Sequence, residues 1–199
     1  MTSRNARVLL VFSAFLVGLV LFTGIVFMLT GRGPVAGIPA PSAIGGPFQL
    51  IDQNGKTVSD QDMKGRPFLV FFGFTHCPDI CPTTLFDVSE VLGKLGPDAD
   101  RVGALFVTVD PERDTPEKMK DYLSSFDSHL RGLSGDANAI AAIEKGYRVY
   151  AKKVPLEGND YTMDHSALVY LMDKEGRFVA PFSLKRRPEE SAADLRRYL

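Results

Sequence analysis

The chain of 199 residues has two cysteines, Cys77 and Cys81, and they stand together in the stretch GFTHCPDICPTT. A disulfide framework scatters its cysteines, whereas a Cys-x-x-x-Cys segment reads as a working pair, for a soft metal or for reversible disulfide chemistry. Both uses need a thiolate. Unpaired amides and the dipole at a helix start favour one. The order of residues fits such a start: Cys77 follows an apolar strand, Asp79 is an N-cap, and Cys81 falls in or near the first turn, where Pro82 is tolerated. A lowered thiol pKa is therefore expected. A merely stabilising disulfide is the alternative, but so short a loop constrains the unfolded chain little.

The elements that must position this pair can be read from periodicity. FLVFFGF (residues 68–74) and VGALFVTV (residues 102–109) are apolar runs of strand length, as in strands covered on both faces. Between them Leu85, Val88, Leu92 and Leu95 recur at helical spacing. A second helix carries Met119, Tyr122, Leu123 and Phe126, and a third carries Ile140, Ile143, Tyr147 and Tyr150. Phe48 to Ile51, the turn DQNG and Thr57-Val58 read as an N-terminal hairpin, with Asn54-Gly55 supplying the positive φ. Residues 167–172 and 177–182 form a second hairpin about Asp173-Lys174-Glu175-Gly176, with Pro181 marking an edge strand. A short helix over residues 188–199, with Leu195 and Tyr198, closes the chain. Strand, helix, strand, helix, hairpin, helix is an α/β order of the thioredoxin-like kind, with an added N-terminal hairpin and an inserted helix. In such a sheet the loops at the carboxyl ends of the parallel strands form the binding edge.

Three motifs lie on that edge: Cys77-Pro78-Asp79-Ile80-Cys81-Pro82, then Val109-Asp110-Pro111-Glu112-Arg113-Asp114-Thr115-Pro116, then Asp164-His165-Ser166 before an apolar strand. Taken in this order, they resemble the Sco/SenC family. The resemblance implies a site of Cys77, Cys81 and His165 holding one copper per chain, Cu(I) or Cu(II). It also implies a role in assembling the binuclear copper site of cytochrome c oxidase, with that oxidase's copper-binding subunit and other copper carriers as partners. Two thiolates and an imidazole are soft donors that suit Cu(I) and accept Cu(II) with an added ligand. Zinc is the rival metal. Where thioredoxins carry a cis-proline facing the cysteines, residues 161–166 read YTMDHS, with His165 in its place.

This points to a binding protein that hands on copper rather than an enzyme. A client-specific thiol–disulfide oxidoreductase is the main alternative. A peroxiredoxin-like peroxidase needs a threonine three residues before its reactive cysteine, where this chain has Phe74 and Pro78. His76 and His129 are expected as solvated loop residues, and Asp164 as either a surface carboxylate or a modulator of the thiols. Residues 110–116 read mainly as turn and cap, with Asp114 or Thr115 capping and Pro116 near N1, and otherwise as support for the cysteine loop or a docking point. Lys185-Arg186-Arg187 reads as a solvated charge cluster.

The N-terminal residues lie outside this domain. Residues 8–30, VLLVFSAFLVGLVLFTGIVFMLT, carry no charge and would span about 35 Å as a helix, the length of a transmembrane anchor. A cleaved signal peptide, cut after Ala36 or Ala40, usually has a shorter apolar region. Arg4 and Arg7 before the span, against Arg32 after it, retain residues 1–7 in the cytoplasm. The Gly- and Pro-rich residues 31–47 are a linker, and residues 48–199 are the copper-binding domain. That domain is expected in the periplasm, tethered to the inner membrane. With 23 Lys and Arg against 24 Asp and Glu, the net charge of -1 offers no basic stripe for nucleic acid.

Overall fold

A computed structural model describes residues 3–30 and 44–199. The chain divides into two compact units, Met1–Ala40 and Pro41–Leu199. In the first, Ser3–Thr30 is one helix, α1. Side chains are described within it at residues 12–26 and at residue 28. Among the described residues no helix is long and apolar enough to cross a membrane. The span expected over residues 8–30 thus rests on the sequence, and most of the expected linker, residues 31–43, lies outside the described residues.

The second unit begins with the expected hairpin, β1 (Gln49–Asp52) and β2 (Thr57–Ser59), paired Leu50 to Val58. Two runs buried along their whole length follow as β3 (Phe68–Gly73) and β4 (Gly103–Thr108), parallel and in register from Phe68 and Gly103 to Gly73 and Thr108. Burial on both faces is what removed polar alternation from their sequences. Between them α2 (Ile80–Leu95) buries Leu85, Val88, Leu92 and Leu95. After β4 come α3 (Pro116–Leu123), β5 (Leu130–Ser134) and α4 (Ala137–Tyr147). The chain then forms β6 (Ala151–Pro155), β7 (Tyr161–His165), β8 (Val169–Met172), β9 (Phe178–Pro181) and α5 (Pro188–Arg196).

Seven strands make one sheet in the order β2-β1-β5-β4-β3-β8-β9, so Pro181 does lie on an edge strand. Its middle is the parallel set β3, β4 and β5, flanked by antiparallel β1 and β8. Phe71 and Phe106 stack on one face at 5.9 Å, under Tyr122 of α3. On the other face Phe72 and Tyr170 meet Tyr147 of α4. This is the thioredoxin-like arrangement.

Four elements depart from expectation. β5 reads as loop in sequence because Arg131 and Gly132 interrupt its apolar run. Gly132 packs closely under α3: a Cβ would stand 2.7 Å from Leu123 Cδ1 and 2.8 Å from Met119 Cε, the flexible ends of those side chains. β6 and β7 were not expected at all; half-exposed and polar, they pair only with each other, as a two-stranded sheet apart from the main one. The helix α4 stops before Tyr150, since Arg148 takes a left-handed conformation at φ 56 as its C-cap.

Candidate metal centre

The cysteine loop leaves the carboxyl end of β3 and is held there by backbone bonds. Cys77 N donates to Phe74 O at 3.2 Å, and Val109 N, just past β4, donates to Gly73 O at 2.8 Å. Asp79 occupies the N-cap position of α2, yet its side chain makes no capping bond. The Cys77 sulfur takes part of that role: Cys81 N–H, otherwise unpaired in the first turn, donates to Cys77 Sγ at 3.4 Å. A side chain at Gly73 would block the site, because a Cβ there would lie 2.8 Å from Cys81 Sγ and 2.7 Å from Phe106 Cε2.

The sequence alone suggested acidic thiols, and for Cys81 the structure reverses that. Cys81 is 0% exposed, and desolvation pushes its thiol well above the usual range. Neighbouring Cys77 and Asp114 add in the same direction, and a backbone bond from Phe74 offsets only part. Burial is a tertiary property that a helix-start motif does not report. In metal-free protein Cys81 is therefore a thiol, and an incoming cation must displace its proton.

His165 is the last residue of β7, not a residue of the loop before β8. Its Nδ1 lies 3.1 Å from Ser166 O. A carbonyl can only accept, so Nδ1 is the donor there, and in the neutral ring the lone pair is on Nε2. That Nε2 stands 3.6 Å from Cys81 Sγ. The ring is fixed edge-on to Phe74 at 5.7 Å and to Phe71 at 6.4 Å. Cys77, Cys81 and His165 thus offer ligand atoms within 4.8 Å of one another, and among the described residues they are the one such group. Both cysteines are free.

Residues 110–116 do more than turn and cap. Thr115 does cap α3, accepting from Lys118 N, and Pro116 is N1. Asp114 is instead fully buried and accepts three hydrogen bonds, from Thr75 N at 3.0 Å, Thr75 Oγ1 at 2.6 Å and Thr108 Oγ1 at 2.6 Å. Through Thr75 it holds the strand-to-loop junction two residues before Cys77. The roles of Gly73, Thr75 and buried Asp114 were not legible in sequence; the motifs around them were visible, their long-range partners were not.

The remaining expectations divide. His76, half-exposed, stays near Thr75 and outside the ligand group. His129 does lie in the turn before β5, but it is partly buried and partnered: Asp127 Oδ1 at 2.6 Å and Asp100 Oδ1 at 3.1 Å clasp its two nitrogens. Asp164 is exposed on β7, beside the ligand in sequence but alternating with it along the strand. Arg186 and Arg187 pair with Asp194 and Glu190 of α5, neutralising most of the basic cluster.

Fold and site together define a thioredoxin-like domain with a Cys-x-x-x-Cys and histidine centre able to hold a soft metal. Residues 37–199 match the SCO1/SenC family. A SCO2-like protein of Rickettsia prowazekii is 35% identical over 190 residues, which cover 92% of each chain. The mitochondrial SCO1 homolog 1 of Arabidopsis thaliana is 42% identical over 149 residues, 74% of this chain but 44% of that longer protein. The structure of Bradyrhizobium japonicum ScoI with copper bound is 68% identical, with a TM-score of 0.78, covering 78% of this chain and 99% of that one. The chain belongs to the SCO1/SenC family.

Proposed function

We propose that this chain is a membrane-anchored copper-binding protein that delivers copper to, or matures, the binuclear copper site of cytochrome c oxidase. It holds one copper, Cu(I) or Cu(II), on Cys77, Cys81 and His165. The observation that carries this reading is the convergence of those three soft ligand atoms within 4.8 Å. The copper bound to the Bradyrhizobium relative favours copper over zinc. The oxidase's copper-binding subunit is the proposed recipient, and other copper carriers the proposed donors, on the strength of family membership.

The anchor is residues 8–30, uncharged and within α1, and the basic residues before it favour an N-terminus in the cytoplasm. The domain then works in the periplasm, at the inner membrane. A reporter fused after Leu199 that is active only in the cytoplasm would overturn this topology.

The copper test is competition against a chromophoric Cu(I) chelator with the detergent-purified, reduced full chain. One copper per chain is expected, with sharp loss in Cys77→Ala, Cys81→Ala and His165→Ala. Full affinity in His165→Ala would sink the assignment of that ligand. Thiol–disulfide exchange on a client's cysteines is the second reading, favoured by the two free sulfurs lying side by side.

A further inference from the structure

The geometry points to Arg113, with Asp110 and Tyr161, as positioning residues that latch the β6–β7 hairpin to the end of β4 and thereby aim His165 at the cysteines. This rests on the copper reading of Cys77, Cys81 and His165. The hairpin that ends in His165 has no strand ladder to the main sheet. Its base is tied by Ser166 N to Tyr150 O at 2.9 Å and Tyr150 N to Ser166 Oγ at 3.1 Å, bonds that join the hairpin's two ends to each other rather than to the sheet. Met163 packs against the core, and the Phe71 and Phe74 rings meet His165 itself. Directional bonds to the rest of the domain come at the opposite end of β7, at Asp160 and Tyr161, and from the exposed Lys153 of β6, whose Nζ donates to Glu112 Oε2 at 2.7 Å.

There the contacts are dense. Tyr161 Oη donates to Asp110 Oδ1 at 2.8 Å, and Arg113 Nη1 donates to the Tyr161 carbonyl at 2.9 Å and to Asp160 Oδ1 at 3.2 Å. Arg113 Nε donates to Asp110 Oδ2 at 2.5 Å, closing the ring of bonds, and the guanidinium carbon sits 3.7 Å from the centre of the Tyr161 ring. Lys153 of β6 covers the same ring at 4.0 Å. Tyr161, Met163 and His165 alternate onto one face of β7, so fixing Tyr161 fixes the direction of His165 four residues on. The next residue in the chain, Asp114, holds the cysteine loop through Thr75. Neighbouring side chains at the end of β4 thus each hold one of the two elements that carry the ligands.

Net stability does not explain this arrangement well. Asp110 is 2% exposed and the Arg113 side chain 18%, with Arg113 Nη2 buried and lacking a hydrogen-bond partner in the structure. Burying such a pair costs about as much as it returns, so its contribution lies in selecting one geometry. A planar fork is required for that, which lysine lacks.

The test uses the reduced full chain in detergent, carrying Arg113→Gln, Arg113→Lys or Tyr161→Phe, each alone and with His165→Ala. Loss of a group that orients a metal ligand costs about tenfold or more in metal affinity. Arg113→Gln and Arg113→Lys should show that loss for Cu(I), and Tyr161→Phe a smaller loss in the same direction. In the His165→Ala background all three should leave the residual affinity unchanged, because the latch acts through the imidazole. Amide hydrogen exchange on metal-free protein supplies a readout independent of copper: residues 151–165 should exchange faster in the variants while β3 and β4 do not. Tyr161→Phe, which removes one oxygen, serves where an Arg113 variant fails to fold. Equal affinity losses in both backgrounds, or unaltered exchange in the hairpin, would overturn the latch. A wild-type chain that binds no copper overturns the metal reading instead, and the exchange result then decides the latch by itself.

Discussion

Adding one methyl group at Gly73 tests whether the core was shaped around the Cys81 sulfur. Gly73 ends β3 in ordinary extended backbone, so alanine meets no conformational barrier and should stabilise the chain by about 0.4–1 kcal/mol through the unfolded state. Opposing this, the new Cβ would lie 2.7 Å from Phe106 Cε2, 2.8 Å from Cys81 Sγ and 3.2 Å from Phe71 Cε1. Phe106 is 0% exposed and stacked on Phe71, so the ring has nowhere to go. Overpacking of this kind costs about 1–3 kcal/mol, and it outweighs the entropic gain. The difference, a net loss of up to about 2.6 kcal/mol, lowers the melting temperature by roughly 2–4 °C per kcal/mol for a domain of this size.

The sulfur is the softer neighbour and gives way first. Perturbing what positions a metal ligand typically costs about tenfold or more in affinity, so a displaced Cys81 sulfur should weaken copper to that extent. Thermal melts of metal-free Gly73→Ala, paired with Cu(I) competition, separate the two effects. A variant at least as stable as wild type with unchanged copper affinity would refute the claim that Gly73 makes room for the ligand.

Asp114→Asn should destabilise the domain by about 2–3 kcal/mol in urea denaturation, because a buried carboxylate with three donors aimed at it becomes a neutral amide that presents a donor to one of them. His129 tests linkage far from the site. The Asp127 hydrogen bond, followed by that of Asp100 against an opposing desolvation, raises its pKa above the ordinary value of about 6.5. The resulting stability is fully present below about pH 6.5 and is lost as pH rises through the folded-state value. Urea midpoints should fall over that range in wild type and not in His129→Gln; parallel profiles would reject the clasp. Finally, oxidation and copper should exclude each other, since the two sulfurs lie within 4.8 Å of one another and a sulfur tied in a disulfide is no longer a thiolate ligand. Copper retained at full affinity by protein whose mass shows the Cys77–Cys81 disulfide would contradict a thiolate site.

What the sequence revealed and what it hid follow from where each residue's partners lie. β3 and β4 were legible because burial on both faces makes their own composition sufficient evidence. The cysteine loop was legible because a helix start is a local event. β5 was hidden because Arg131 and Gly132 break its short apolar run, and β6 and β7 because a half-exposed hairpin leaves no clear apolar period. His165 was therefore found through the motif around it, while its strand was missed.

The acidity of Cys81 was misjudged, and the individual tasks of Asp114 and Arg113 were left unassigned, for a related reason. Each depends on groups distant in sequence: the core that desolvates Cys81, Thr75 for Asp114, Tyr161 for Arg113. Local chemistry at 110–116 was correctly assigned to Thr115 and Pro116, and support for the cysteine loop was named as the further role without the residue that supplies it. The surplus was nonetheless visible: a turn needs its cap and its proline, but not Asp110, Arg113 and Asp114 besides. Charged residues beyond what the local conformation requires, at the carboxyl end of a buried parallel strand, have to be paired somewhere if they are buried. Here their partners are the elements that carry the proposed metal ligands, Asp114 reaching toward the cysteines and Arg113 toward the histidine. The spacing between those ligands is therefore set largely from the end of β4, a strand that contributes none of them.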